Sequence, residues 1–195
     1  MNTIKLTGIL KDIKPSHNVG DIEYDKANLI VLREDGKKED IITLKFKRFT
    51  NKFKEDDKIS IVGNVRSYSK QLNGKNKVDV YVFTYFDANN DEINNQFDIG
   101  GRICKIDELR VLDNGKSCIH FILANNLSVS GDNQKLNSYL PCVAWGNEAK
   151  EIGNKSVNDV VHIKGELHSR IYKKKFDDGD FEYRTAHELV VTEIV

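Results

Sequence analysis

The sequence predicts an all-β protein built from two tandem five-stranded Greek-key barrels. Three observations carry that expectation: the chain repeats itself, its apolar residues alternate with polar ones over short runs, and glycine recurs inside those runs. "IKLTGILKDI" (Ile4 to Ile13) and "FDIGGRICKI" (Phe97 to Ile106) align, with Ile4 on Phe97, Leu6 on Ile99, Gly8 on Gly101, Leu10 on Ile103 and Ile13 on Ile106. "KISIVGNVRSYSK" (Lys58 to Lys70) and "VVHIKGELHSRIY" (Val160 to Tyr172) align in the same way, with Gly63 on Gly165. The two glycines of a copy lie 55 residues apart in the first and 64 in the second, so the second carries an insertion. It is expected in "NNLSVSGDNQKLNS", where Ser, Asn, Gly and Asp cluster as loops require. Between the copies "DANNDEINNQ" is polar and reads as a linker. The expected organisation is a domain at 1–87, a linker at 88–95 and a domain at 96–195.

Taken in order, the first copy should form strands at 4–13, 27–33, 41–46, 59–70 and 78–86. The second should form them at 97–106, 119–123, 139–145, 160–172 and 181–191, with a short helix in "GNEAKEIGNK". Five strands with a helix between the third and fourth is the layout of an OB-fold, a small, partly open barrel. The expectation is two OB-folds, each with such a helix. Gly8, Gly63, Gly101 and Gly165 fall where a barrel strand must bend or bulge. Phe46, Phe49 and Phe53 are three and four residues apart, the spacing of one helical face, and read mainly as core filling.

Composition narrows the classes. A hydrophobic share of 39% beside 31% charged residues describes a soluble globular protein. No apolar run reaches the ~18 residues of a membrane helix. The N-terminus lacks the pattern of a secretory signal, so the expected location is the cytoplasm, in association with the nucleoid. Cys104, Cys118 and Cys142 include no close pair and are expected as buried thiols, with no zinc site and no cofactor. Net charge is zero, but residues 1–87 carry 17 Lys and Arg against 13 acids, while 96–195 carry 13 against 15. Where the cations gather matters more than their sum.

Alternation in the fourth strand of each copy locates them. Val161, Ile163, Gly165 and Leu167 share the core face, so Lys164, Glu166, His168, Arg170 and Tyr172 face outward. In the first copy Ile59, Ile61, Gly63 and Val65 face in, and Asn64, Arg66, Tyr68 and Lys70 face out. The hairpin tips add Lys75 and Lys77 in the first copy, and Lys173, Lys174, Lys175 and Phe176 in the second, with Arg184 on the returning strand. Lys47 and Arg48 stand beside the Phe cluster, and Tyr139 and Trp145 share a parity in "YLPCVAW". Rings interleaved with cations suit a single-stranded nucleic acid, whose bases expose π-faces worth ~1–3 kcal/mol each when stacked while its phosphates take the cations. Stacking alone does not separate DNA from RNA. Asp177, Asp178 and Asp180 would be the only hint of a metal-dependent nuclease, but at a hairpin tip with Asp-Gly they read as a turn, and no catalytic residue is expected.

These residues also carry a resemblance. "SYLPCVAWGNEAKEI" looks like the third strand and following helix of the bacterial single-stranded-DNA-binding proteins, and "HIKGELHSRIYKKKFDDGDFEYRTAHELVV" like their fourth and fifth strands. With "SHNVGDIEYDKANLIVLRE" and "VGNVRSYS" in the first copy, the whole resembles a tandem two-OB variant found in bacteria and their phages. The resemblance implies a non-enzymatic binder that coats and protects single strands in replication, recombination and repair. It places the base-stacking aromatics on Tyr139, Trp145 and Tyr172 and the basic strand on His168 and Arg170. In the first copy it finds Arg66 and Tyr68, with Phe46 nearest the Trp145 position, so that barrel is expected to bind less well. The family's usual members continue into an acidic tail that recruits partners; here the sequence ends "VVTEIV", and recruitment by that route is not expected. Two barrels per chain suit a monomer or a homodimer. The alternative is a replication accessory module of the primosome kind, with one barrel on DNA and the other on a protein partner.

Overall fold

The computed structural model describes residues 1–48, 53–72, 75–87, 95–128, 135–175 and 179–195, with the side chains of 70–72, 75–77, 85–87, 128 and 135 left outside the description. The first half forms β1 (Asn2–Val19), β2 (Ile22–Leu32), β3 (Glu39–Lys47), β4 (Lys58–Leu72) and β5 (Lys75–Asp87). The second forms β6 (Gln96–Ile106), a short β7 (Arg110–Val111), β8 (Ser117–Ser128), β9 (Lys135–Trp145), α1 (Gly146–Gly153), β10 (Val160–Lys175) and β11 (Phe181–Ile194). Every expected strand is present, and only β7 was not anticipated.

Pairing closes each half on itself. In the first, β1 meets β2 and β4, β2 meets β3, β4 meets β5, and a parallel contact of Leu44 with Val82 joins β3 to β5. In the second, β6 meets β8 and β10, β8 meets β9, β10 meets β11, and Cys142 lies parallel to Leu189 across β9 and β11. Both are five-stranded OB barrels. Their interiors hold the predicted parity: Ile59, Ile61 and Val65 are buried in one, and Val161, Ile163 and Leu167 in the other. α1 buries Ala149 and Ile152, three residues apart on one face, under the second barrel.

The mid-strand glycines admit another strand's backbone. A β-carbon on Gly63 would stand 2.5 Å from the Phe83 carbonyl oxygen, and one on Gly101 2.6 Å from that of Ala124; Gly8 and Gly165 meet Ile30 and Val190 in the same way. The ladders slip beside Gly63 and Gly165, as bulges do.

Some expectations change. The insertion is divided: Leu29 pairs with Ile42 where Leu123 pairs with Leu140, which gives the β8–β9 hairpin four extra residues, and α1 accounts for most of the remainder. The helix expected between β3 and β4 falls partly on 49–52, outside the described residues, as does Phe49. Phe46 is buried and Phe53 packs on the core, but Phe46 reaches it from β3 rather than from a helix. Cys118 and Cys142 are buried; Cys104 is exposed, because it follows the core residue Ile103 and the pleat turns it to the opposite face. Burial pushes the Cys142 thiol well above its ordinary pKa.

The halves are joined as one sheet, Asn2 to Lys5 of β1 pairing antiparallel with Gln96 to Ile99 of β6. Long-range polar contacts fix the joint. Buried Asn2 donates from Nδ2 to the Val65 carbonyl and to Asn125 Oδ1, each at 2.8 Å. Asn95, at the end of the linker segment, is buried and bonds both backbone groups of Leu167, at 2.7 and 2.8 Å. Asp40, wholly buried, takes a bidentate bond from Arg33 at 2.7 and 2.8 Å and another from the Ser169 amide at 2.6 Å.

Candidate nucleic-acid interface

The outward face of the first barrel is built by four strands. Their inward residues Ala27, Leu44, Val65 and Val82 are fixed by the core, so the pleat turns Lys26, Lys45 and Tyr81 outward, with Arg66 and Phe83 on the same parity but buried against each other. Tyr24 and Tyr68 extend the same face. Lys45 Nζ stands 4.1 Å from the centroid of Tyr81 and 5.4 Å from that of Tyr68. The Arg66 guanidinium lies 4.1 Å from the Phe83 ring, and His17 stacks on Tyr24 at 4.8 Å. Cations held over rings in this way are pre-organised for phosphate and base together. Burial, with Lys45 nearby, lowers the His17 pKa.

The predicted residues divide on this frame. Arg66 is placed as expected but lies nearly buried against Phe83 instead of projecting. Tyr68 and Lys47 are half-buried on the same face. Arg48 is held by Asp25 at 2.7 Å and by Glu23, so its charge is largely met within the protein. Phe46 points into the core; Lys47, one residue on, holds the place that Trp145 has in the second half. The side chains of Lys70, Lys75 and Lys77, and all of Phe176, lie outside the described residues. Missed by the sequence reading were Tyr24, Lys26, Lys45, Tyr81 and Phe83. The alternation in "VDVYVFTY" would have found Tyr81 and Phe83 had it been followed on the fifth strand as on the fourth.

In the second half Arg170 and Tyr172 face the same way, the guanidinium 5.8 Å from the ring. Tyr139 is 47% exposed at the seam, its amide donating to Ser67 Oγ of the first half at 2.7 Å. Trp145 closes β9 half-buried, with Lys116 Nζ 5.3 Å from its ring. The centre of the face is less suited to a polyanion: His168 bonds Glu166 at 2.7 Å, and His120 pairs with Glu188 at 3.3 Å. Arg184 lies beside Tyr172 and bonds Glu182 at 2.8 Å, which raises its pKa. Lys173, Lys174 and Lys175 do not share one face. The pleat keeps Lys174 with Tyr172 and sends Lys173 and Lys175 to the opposite side.

Between the barrels runs a groove of about 870 Å³, lined by Lys26, Lys45, Tyr68 and Tyr81 from one half and by Arg170 and His187 from the other. Asp79 and Glu188 also border it. His187 donates from Nε2 to the Ile41 carbonyl at 2.8 Å, and its burial lowers its pKa.

Two five-stranded Greek-key barrels in one chain define a tandem OB-fold protein, an architecture that hosts many functions. The single-strand binding protein family matches residues 94–195, just over half of the chain. The chain belongs to that family, whose members are non-enzymatic DNA-binding proteins. Two solved structures resemble it across its whole length: a deletion mutant of the single-stranded DNA binding protein from Thermus aquaticus (TM-score 0.74, 16% identity, 93% of that chain covered) and the wild-type protein from the same organism (TM-score 0.72, 16% identity, 92% covered). At that identity the likeness is one of fold. No curated protein sequence matches the chain. Among the described residues no helix is long and apolar enough to cross a membrane.

Proposed function

We propose that this protein binds single-stranded DNA largely without regard to sequence, and that it coats and protects exposed strands in replication, recombination and repair. Family membership supports single-stranded DNA as the ligand. The observation that carries the mechanism is the first barrel's face, where Lys45 lies over Tyr81 and near Tyr68. Unpaired bases stack on such rings and their phosphates reach the adjoining cations, whereas duplex DNA keeps its π-faces covered. Residues 1–87 and 96–195 act as two domains, Tyr139, Trp145, Tyr172 and Arg170 extending the contact across the second. RNA fits the same chemistry unless a group reads its 2′-hydroxyl. The β1–β6 ladder joins two barrels inside one chain, which favours a monomer or homodimer. The work would be done in the cytoplasm, at the nucleoid.

Titration with oligo-dT, followed by emission from Trp145, the chain's one tryptophan, tests this. Binding should weaken with salt, with a logarithmic slope of about −0.7 per phosphate contacted. Absence of binding, or equal preference for duplex, overturns the proposal.

A further inference from the structure

Two histidines and two carboxylates meet at the centre of the second barrel's outward face, just below the point where β10 and β11 run past the barrel as a two-stranded ribbon. His168 bonds Glu166, two residues back on β10, at 2.7 Å, and His120 of β8 pairs with Glu188 of β11 at 3.3 Å. Glu188 is also the cross-strand neighbour of His168, which sets their β-carbons about 5 Å apart. One carboxylate therefore stands beside both imidazoles and couples their titrations. The strand between them, β9, brings only the uncharged Pro141 and Val143 to this side. Around the cluster are the Cys118 thiol, 3.8 Å from His120 Nε2, and Arg170, the next residue of this parity on β10. Across the joint, Arg33 of the first barrel feels the charge of Glu166, and Asp79 borders the groove with Glu188. On its other side Glu166 borders a recess shared with Glu34, Lys164 and Glu193. The equivalent cross-strand pair in the first barrel is Arg66 and Tyr81, with no carboxylate in it.

We infer that this cluster is a proton gate: with both imidazoles neutral the carboxylates hold a strand's phosphates off the second barrel, and with both protonated the strand extends across it. The inference rests on the proposed function and adds regulation to it. Imidazole is the side chain whose charge ordinarily changes between about pH 5 and 8. A phosphate brought beside it favours the charged form, as any nearby anion does. The DNA-bound state then holds more protons than the free one, so affinity and the length of strand engaged must both rise as the pH falls.

The test compares the wild type with His120→Gln/His168→Gln, using oligo-dT of about 40 nucleotides, enough to span two OB-folds. Calorimetric titration in buffers of different ionisation enthalpy counts the protons taken up, and melting curves at each pH verify folding. The wild type should take up about one proton more per chain than the variant at neutral pH. From pH 8 to pH 6 its affinity should gain roughly tenfold more than the variant's, and the length it occludes on poly-dT should grow by several nucleotides. His17 and His187 also border the groove, with pKa values lowered by burial, but both are present in each protein and drop out of the comparison. Glu166→Gln/Glu188→Gln opens the gate by the other route, and should occlude at pH 8 about the length that the wild type occludes at pH 6. Equal proton uptake by the wild type and the histidine variant, or a carboxylate variant whose occluded length at pH 8 stays that of the wild type, overturns the inference and leaves the proposed function standing. Failure of the wild type to bind at either pH removes the function on which it rests.

Discussion

The two barrels share a skeleton and differ in what they show to solvent. Superposing Gly63 on Gly165 sets the cross-strand pair Arg66 and Tyr81 against His168 and Glu188, and Asn64 and Phe83 against Glu166 and Val190. On the neighbouring strands Lys26 and Lys45 answer to His120 and Val143. The first barrel therefore concentrates rings and cations at its centre, whereas the second keeps its centre partly acidic and moves its aromatics outward to Tyr139, Trp145 and the ribbon. Inward positions are repeated because both barrels must close around a core; outward positions are not held to that constraint. The sequence expects the first barrel to bind less well; the positions of Lys26, Lys45, Tyr68 and Tyr81 add rings and cations to its face that the expectation did not count.

The shared skeleton can be broken first. Gly165→Ala forces a β-carbon into the Val190 carbonyl, and Gly63→Ala does the same at Phe83. Each should cost roughly 4 kcal/mol, the range of an irreconcilable backbone clash. Denaturant unfolding measures it. If one substitution were mild, the two barrels would not be held by the same strand crossing.

The joint comes next. Asp40→Ala leaves Arg33 without its bidentate partner and the Ser169 amide without its acceptor, at a cost of about 3 kcal/mol. The wild type should melt in one transition and this variant in two, because the clamp ties β3 of one barrel to the ribbon of the other. A single transition at an unchanged temperature would show that the barrels are held by the β1–β6 ladder alone.

None of that clamp was legible in the sequence. Asp40 and Ser169 lie far apart in the chain, as do Asn2 and Asn125, and periodicity reports only on neighbours a few residues away. What periodicity can see, it located: ten strands, their inward residues, the bulge glycines and α1. It missed Tyr81 and Phe83 because their strand is so rich in apolar residues that rings read as core. It grouped Lys173, Lys174 and Lys175 because adjacency in sequence looks like a patch, although a pleated strand separates neighbours across its two faces.

For binding, Tyr81→Ala should weaken oligo-dT about tenfold, the loss of one stacked base. Trp145→Phe, which keeps a ring at the rim of the second barrel, should change it far less. Fluorescence anisotropy with a labelled oligonucleotide compares them. The reverse order would return the leading role to the second barrel.

Acidity probes the seam between the halves. Burial holds the folded-state pKa of His187 below its unfolded value near 6.5, despite the bond to Ile41 and the carboxylates of Asp40 and Asp79. The unfolded chain thus binds the proton more readily. Stability from this group is complete above about pH 6.5 and is lost as the pH falls from there through the folded pKa. Between pH 7.5 and 5.5 the wild type should lose up to about 1 kcal/mol more than His187→Gln, which can still donate to the Ile41 carbonyl. Equal losses in urea unfolding would mean that the imidazole is not buried at the seam.

The smallest expected effect is the most selective. Glu188 occupies, in the second barrel, the place of Tyr81 in the first, and borders the groove between them. A strand crossing that groove carries phosphates past the carboxylate, whose ion-pair contact among the described residues is the His120 imidazole at 3.3 Å. Glu188→Gln keeps the shape and removes the repulsion, so affinity should rise about two- to threefold at low salt, as for one weakly screened charge pair near a surface. Added salt should erase the gain, since screening acts on the repulsion and not on stacking. An affinity that is unchanged at low salt would route the strand along the first barrel and the ribbon without passing the second barrel's centre. The difference between the two faces would then be one of use as well as of composition.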